Sequence, residues 1–553
     1  MMRLSYLSTT TAALVFVAAD AYAKPSSPVE YVRICSTEGK GFFYIPGTDT
    51  CLRVGGRVRY SYQFTSGRAV TPNIFTGPFG GVNNFANGDR SSFQGLAFLN
   101  FDARSRTSHG TLRTFIRLIT AYSSGPSLAS GTNARAGFAY WGIGQDTYGR
   151  AQTLIQLDKA FVQFAGFTAG RAGSFFDFYA HDLEHIGATT SSDVASTNLL
   201  AYTGTFGGGW SATLSVEDPI SRRQPLYANQ TFGTTGVGSA LGAAGALASV
   251  GGTFTQSVPY FSNGTLRVAN YDVVQRQAVP DIVAAIRYDA PWGSAQFSAA
   301  THEIRIGSLV STQAAAIGSN GLIAPAGVAE QGAASLPIGL PGRVRSEIGW
   351  AVQGGVKVNL PQIATGDVLW LQAAYSEGGL SYVGTPMRSL GGLNQTNTAS
   401  RLGLGTVDAF IGSDGRLKLT EAWSLTAAFL HYWSPEWRSG VFGSYSSVSF
   451  GAGARTGRGP ANLLAANSTG ANTLGFNTTL RDYSTWTLGT NIIWSPVRDL
   501  DVGVEVAYIR NELRNGRAVD GNTGSLGTVG GVPFRTTNSD DIVMARMRVQ
   551  RDF

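Results

Sequence analysis

The chain has 553 residues, of which only 14% are charged, with 71 glycines, 11% aromatics and a formal net charge of +7. Apolar and aromatic residues recur along its whole length, which excludes a disordered polymer. Mean hydropathy is near zero and no long apolar run follows the N-terminus, which excludes a bundle of membrane-spanning helices.

Residues 1–23 read as an export leader. Arg3 supplies a short basic start, Thr11 to Ala19 (TAALVFVAA) is apolar but too short to span a bilayer, and Ala21-Tyr22-Ala23 is a small-x-small cleavage site. The mature chain would begin at Lys24, and loss of Arg3 and Asp20 leaves the formal charge unchanged. An N-terminal segment, 24–50, comes next. Two cysteines, Cys35 and Cys51, are the only ones in the chain, and in an exported protein they most simply pair with each other. Closing that loop stabilises by about 3 kcal/mol in the chain-entropy model. A metal site there would need more ligands, and no histidine lies nearby.

Leu52 to Phe64 reads as a strand. Its even positions are Leu, Val, Gly, Val, Tyr, Tyr and Phe, whereas its odd positions include Arg53, Arg57, Arg59, Ser61 and Gln63. Successive side chains of a strand point to opposite faces, so one face is apolar and the other basic. A half-buried soluble sheet would give the same alternation. The pattern recurs in TLRTFIRLITAY (111–122), with Arg113 and Arg117 opposite Leu112, Ile116 and Leu118. It recurs again at 500–510 and in the final DIVMARMRVQRDF, which ends on Phe553.

Connections alternate in length. Tight links are expected near Ser108-His109-Gly110, Ala165-Gly166, Gly207-Gly208-Gly209, Pro291-Trp292-Gly293, Pro361 to Gly366, Glu421-Ala422 and Pro496 to Asp499. Eight longer links lie between them, so fifteen connections imply sixteen strands. Short turns on one side and long loops on the other describe an all-β, antiparallel transmembrane β-barrel with short periplasmic turns and long extracellular loops. A compact soluble domain rarely carries so many long loops. In hydrocarbon every backbone N–H and C=O must be paired within the protein, so a membrane-spanning sheet must close. About 10 residues per strand suffice to cross. Trp423, Trp433, Trp486 and Trp494 fall near strand ends, where an aromatic girdle is expected.

Three stretches carry a resemblance. VEYVRICSTEGKGFFYIPGTDTCLRVGGRVRYSY (29–62), AFVQFAGFTAGRAGSFFDFYA (160–180) with NLLAYTGTFGGGWSATLSVED (198–218), and the closing RMRVQRDF resemble the alphaproteobacterial general porins of the rhizobial and Brucella type. The resemblance implies a single barrel domain over 24–553. It implies a sixteen-stranded, homotrimeric diffusion pore, set in outer-membrane lipid and lipopolysaccharide, whose third extracellular loop folds into the lumen.

By that resemblance residues 175–198 form the constriction loop, with Asp177, Asp182, Glu184 and Asp193 as its acids. Opposite them would stand a basic wall of Arg53, Arg57, Arg59, Arg104, Arg106, Arg113 and Arg117. Acids facing bases would set up a transverse field that filters ions and orients dipolar solutes. Hydrated lumen charges cost little, whereas each would cost about 2–4 kcal/mol facing lipid.

HDLEH (181–185) matches the inverted zincin spacing, H-x-x-E-H, but no third ligand is evident and loop residues explain it more simply. Gly233 to Gly252 lacks the G-K-[ST] ending of a phosphate loop. No charged residue lies between Arg223 and Arg267, and this stretch is expected to be an extracellular loop. The basic balance does not imply nucleic acid, because the arginines alternate with lipid-type faces. The expected function is a passive, water-filled channel for small hydrophilic solutes and ions, with some anion preference, no catalytic residues, no metal and no cofactor. A substrate-specific channel of the same fold is the nearest alternative, and a barrel-based outer-membrane hydrolase a more distant one.

Overall fold

The computed structural model describes residues 33–66, 90–124, 152–194, 196–224, 275–306, 346–385, 407–411, 416–451, 481–516 and 536–553, with short stretches between them. The leader at 1–23 lies outside the described residues.

Sixteen long strands among the described residues form one closed sheet. They are β1 (Cys51–Thr65), β2 (Ser91–Thr107), β3 (Gly110–Ser124), β4 (Gln152–Phe164), β5 (Phe167–Ala172) and β6 (Thr197–Gly207). Then come β7 (Trp210–Glu217), β8 (Asp281–Ala290), β9 (Gly293–Ile306), β10 (Glu347–Asn359) and β11 (Val368–Glu377). The last five are β12 (Leu417–Tyr432), β13 (Trp437–Phe450), β14 (Tyr483–Val497), β15 (Leu500–Leu513) and β16 (Ser539–Asp552). Each pairs antiparallel with its sequence neighbours, and β16 pairs with β1 from Arg57↔Asp552 to Thr65↔Met544. That last ladder leaves no edge strand, as a sheet in hydrocarbon requires.

The two-residue alternation sets the faces. On β1, Val54, Val58, Tyr60 and Phe64 are exposed, whereas Ser61, Gln63 and Thr65 are buried. On β15, Val504, Val506 and Tyr508 are exposed while Glu505 and Asn511 are fully buried. Polar groups inside and apolar groups outside invert the pattern of a soluble protein, so the outer face is the one solvated by lipid.

Two aromatic belts bound that face. Near the loops, Trp350 meets Tyr375 at 5.3 Å and Tyr445 lies between Trp423 and Trp486 at 5.1 and 4.4 Å. Near the turns, Trp437 stacks on Trp494 and Trp210 packs on Tyr288. On β14 the belts are marked by Trp486 and Trp494. Eight residues of strand span about 27 Å, or roughly 20 Å along the axis at the usual tilt of about 35–45°. That matches the apolar band of an outer-membrane barrel.

One expected turn is wrong. Glu421-Ala422 lies inside β12, where Ala422 and Ser424 face inward and Trp423 and Leu425 outward. The chain turns instead at Trp433 to Glu436, where the backbone N–H groups of Trp433 and Ser434 both donate to the Trp437 carbonyl. The polar Glu421 misleads because it sits beside the loop-side belt, where a charge reaches the headgroups.

The long link between β7 and β8, uncharged from 224 to 266, is not all irregular. Thr253–Ser262 pairs antiparallel with Thr265–Asp272, which in turn pairs with Leu309–Ile317 from the next long link. The N-terminal segment folds at the turn end, where the Cys35–Cys51 disulfide packs with Phe42.

The facing of the strands is checked by labelling. Single cysteines at Leu425 and Leu488 should react with a bilayer-confined maleimide and resist a charged, water-soluble thiosulfonate. A cysteine at Asn100 on the inner face should show the reverse, and equal reactivity at all three sites would contradict the barrel.

Candidate pore constriction

The link between β5 and β6, residues 173–196, is the third long loop (L3) and it folds into the lumen. Its own carboxylates hold its shape. Glu184 accepts from the N–H groups of Ala188 (2.7 Å) and Thr189 (3.1 Å), the Thr189 hydroxyl and the Tyr179 hydroxyl. Asp177 accepts from Ser192 Oγ at 2.5 Å, from the Val194 N–H and from Arg222 Nη2 at 3.1 Å. His181 adopts a left-handed φ of 61°. It spans Asp193 (3.3 Å) and the Thr189 carbonyl (2.8 Å) through its two ring nitrogens. Burial alone would lower its pKa, but the charges of Glu184 and Asp193 and the two hydrogen bonds outweigh that and push it up to about 10.

L3 is seated on half of the inner wall, with at least one residue from each of eight consecutive strands. Gln296 on β9 and Gln353 on β10 donate to the Phe176 carbonyl, and Gln372 on β11 accepts from the Tyr179 N–H. Thr426 on β12 donates to the Thr190 carbonyl, while Ser444 on β13 accepts from the Thr190 N–H. Asn491 on β14 donates to the Leu183 carbonyl at 2.7 Å. Glu505 on β15 takes the N–H groups of His185 and Ile186, both at 2.6 Å. On β16, Arg546 and Arg548 donate to the His185 carbonyl. A loop at membrane depth must place its backbone groups on protein partners or lumen water, and these side chains supply the partners.

The neighbouring loops clamp L3 from above. Arg222, from the β7–β8 link, donates to Ser192, Ser174 and Asp177 and lies 3.9 Å over the ring of Tyr382 from the β11–β12 link. Tyr382 meets Phe176 edge-on at 4.7 Å. Close approach needs glycine at two wall positions. A Cβ on Gly355 would come within 2.3 Å of Phe178, and one on Gly503 within 2.5 Å of His185.

The seven arginines separate into two groups. Arg53, Arg104 and Arg113 surround the buried Asp102 carboxylate at 3.8, 3.0 and 3.0 Å. Arg106 reaches Glu38 of the N-terminal segment at 2.9 Å, so it belongs to the turn-side mouth and not to the surface facing L3. Arg57, Arg59 and Arg117 stand higher, around the ring of Phe98 at 5.9, 5.8 and 5.5 Å. Of the four acids, Asp177 and Glu184 are spent inside L3, Asp193 is tied to His181, and Asp182 alone is exposed.

Sequence reading missed Arg546 and Arg548. They sit on the polar face of β16, but only closure against β1 brings them beside Gln63 and Arg59. It also missed the row of wall side chains that seats L3, because glutamine, threonine and asparagine carry no signal until the loop is placed on them. The HDLEH segment is not helical. His181 points into L3, whereas His185 packs against Gly503, and among the described residues no group of three metal-binding side chains gathers. Burial and the charges of Arg548, Arg546, Arg59 and Arg438 push His185 down to about 2, which keeps it neutral.

Residues 20–528 match the family model described as Porin subfamily. The chain belongs to the Porin subfamily. It is 34% identical over 211 residues to Porin Omp2a of Brucella ovis, a match covering 36% of this chain and 54% of that protein. Against Porin Omp2b of Brucella suis it is 34% identical over 208 residues, covering 36% and 46%. The chain thus matches about half the length of these curated relatives. Among solved structures it is similar to the outer membrane channel DcaP of Acinetobacter baumannii, with a TM-score of 0.44 and 12% identity over 92% of this chain and 99% of that one. This porin-family barrel resides in the outer membrane.

Two neighbouring glycines test the seating. Gly355→Ala overpacks the wall by an amount worth about 1–3 kcal/mol, pushes Phe178 toward the axis and should lower single-channel conductance. Gly354→Ala, whose Cβ would point to lipid with nothing within 4 Å, should leave conductance unchanged. Equal conductance in the two variants would show that Phe178 is not held against β10.

His181 sets a pH response. Its folded pKa of about 10 lies above its ordinary 6.5, so its stabilisation of L3 is complete below the lower value and is lost as pH rises through the upper one. Open-channel noise should therefore rise above about pH 10, and His181→Gln should show that noise already at neutral pH. Quiet currents in the variant at neutral pH would contradict the role.

Proposed function

We propose that the barrel is a passive, water-filled diffusion channel for small hydrophilic solutes and ions, with L3 narrowing its bore. The observation that carries this reading is the lopsided lumen. L3 covers the wall from β9 to β16, and the polar, arginine-bearing face of β1 to β4 is left opposite it. Such a pore does no covalent chemistry, and the one motif that suggested a hydrolase has both histidines in structural seats.

The working unit is a homotrimer in outer-membrane lipid and lipopolysaccharide. The distribution of tryptophan supports this. The turn-side tryptophans run from β7 to β14 and the loop-side ones from β10 to β14, while among the described residues the outward faces of β15, β16 and β1 to β6 carry no tryptophan. A face that meets a second subunit needs fewer tryptophan anchors, and its exposed aromatics are tyrosines such as Tyr60, Tyr122 and Tyr202. The leader at 1–23 would carry the chain to that membrane through export.

Purified protein in a planar bilayer should give stepwise, ohmic conductance, and liposomes bearing it should swell in small neutral sugars at rates that fall steeply with solute size. Conductance without sugar permeation would favour a solute-specific channel. Intact, folded protein that passes neither ions nor sugars would overturn the channel reading.

A further inference from the structure

The arginines of the lumen are unequally compensated, and the difference falls along the axis. At the turn-side mouth Asp102 is almost fully buried and faces three guanidinium groups, and Glu38 pairs with Arg106 and lies 3.9 Å from Arg104. Those cations are tied to carboxylates. Higher up, Arg59 donates from Nε (3.1 Å) and Nη2 (2.8 Å) to Gln550, a neutral amide. Arg117 donates at 2.8 Å to Asn100 and has Asp158 only at 3.7 Å, and that carboxylate already takes the Ser196 hydroxyl at 2.5 Å. Arg548 gives Nη2 to the His185 carbonyl, and its Nε–H has no partner. Only Arg57 in this group holds a close carboxylate, Asp552 at 2.5 Å.

Resting on the channel reading above, we propose that Arg57, Arg59, Arg117 and Arg548 form an oxyanion-binding subsite beside L3, which makes the pore anion-selective and favours solutes bearing phosphate or carboxylate groups. Three of the four guanidinium groups gather around the single ring of Phe98. Arg548 lies within Coulombic range of Arg59 and Arg57; the carboxylates that also act here, Glu505 on Arg548 and Asp552 on Arg59, are already engaged by the His185 and Ile186 N–H groups and by Arg57. Neutral acceptors orient the forks without cancelling their charge. A guanidinium fork so held matches phosphate or carboxylate geometry, and it loses little further freedom on binding. The facing surface does not restore balance. Asp182 is the only exposed L3 acid, and Lys357 stands over Trp370 on the same side, while Arg287 beside Phe178 is paired with Asp289 at 2.9 Å. Binding must stay weak for solutes to leave, and several adjacent cations allow hand-over from one to the next.

The test uses full-length protein in planar bilayers. In a KCl gradient the reversal potential should have the sign of chloride selectivity, and the chloride-to-potassium permeability ratio should fall several-fold in the Arg59→Gln/Arg117→Gln variant. Arg498→Gln, at an exposed turn, should match the wild type. Added inorganic phosphate or succinate should reduce chloride current. Half-inhibition should need about tenfold more of either in Arg59→Gln, the loss of one charge-assisted hydrogen bond. Arg59→Lys/Arg117→Lys should keep the reversal sign but not the strong inhibition. The two probes separate a preference for phosphate from one for carboxylate, and inhibition by either supports the subsite. A cation-selective wild type, or phosphate and succinate inhibition identical in wild type and Arg59→Gln, would overturn it. Neither result would touch the channel reading, which fails only if the protein passes neither ions nor neutral sugars.

Discussion

The backbone hydrogen bond is the constraint on which everything else depends. A strand in hydrocarbon has no water to satisfy its edge, so the sheet closes by laying β16 against β1, with Arg57 opposite Asp552 and Thr65 opposite Met544. Closure fixes which face is outside. Once the apolar positions meet lipid, the odd residues of β1 and the even residues of β2 have no choice but the lumen. The arginines are inside because the register puts them there, and because the same charges would be costly on the other face.

A second consequence is that a wide barrel can hold a loop. L3 is a stretch of irregular backbone at membrane depth, and it persists because inward side chains from β9 to β16 serve as its hydrogen-bond partners. The wall is polar there for that reason and not only for solvation. Glycine appears where the loop comes too close for a Cβ, at Gly355 beneath Phe178 and at Gly503 beneath His185. Arg222 and Tyr382 then lock the loop from the extracellular side. The constriction is therefore built from four separate parts of the chain.

Much of the fold was legible in the sequence, because a lipid-facing strand leaves a period-two signal strong enough to count. Val54, Val58 and Tyr60 against Arg57 and Arg59 suffice to orient β1. Turn chemistry located six of the seven short links. It failed at Glu421-Ala422, since a charge beside an interfacial tryptophan looks like a turn. The candidate site was less legible. Asp177, Glu184 and Asp193 look like pore acids in sequence, and only the folded loop shows them bonded to its own backbone, Arg222 and His181. Arg546 and Arg548 lie nearly five hundred residues from Arg57, and no local pattern says that the two ends of the chain are neighbours.

The central claim is that β1 and β16 complete the ring. Backbone amide exchange of the protein in lipid measures this directly. The N–H groups along Arg57 to Thr65 and Met544 to Asp552 should be as strongly protected as those of β13 and β14, which lie in the middle of the sheet. If the two terminal strands exchanged at the rate of the loops while the central strands stayed protected, the sheet would have an open edge and the account would be wrong.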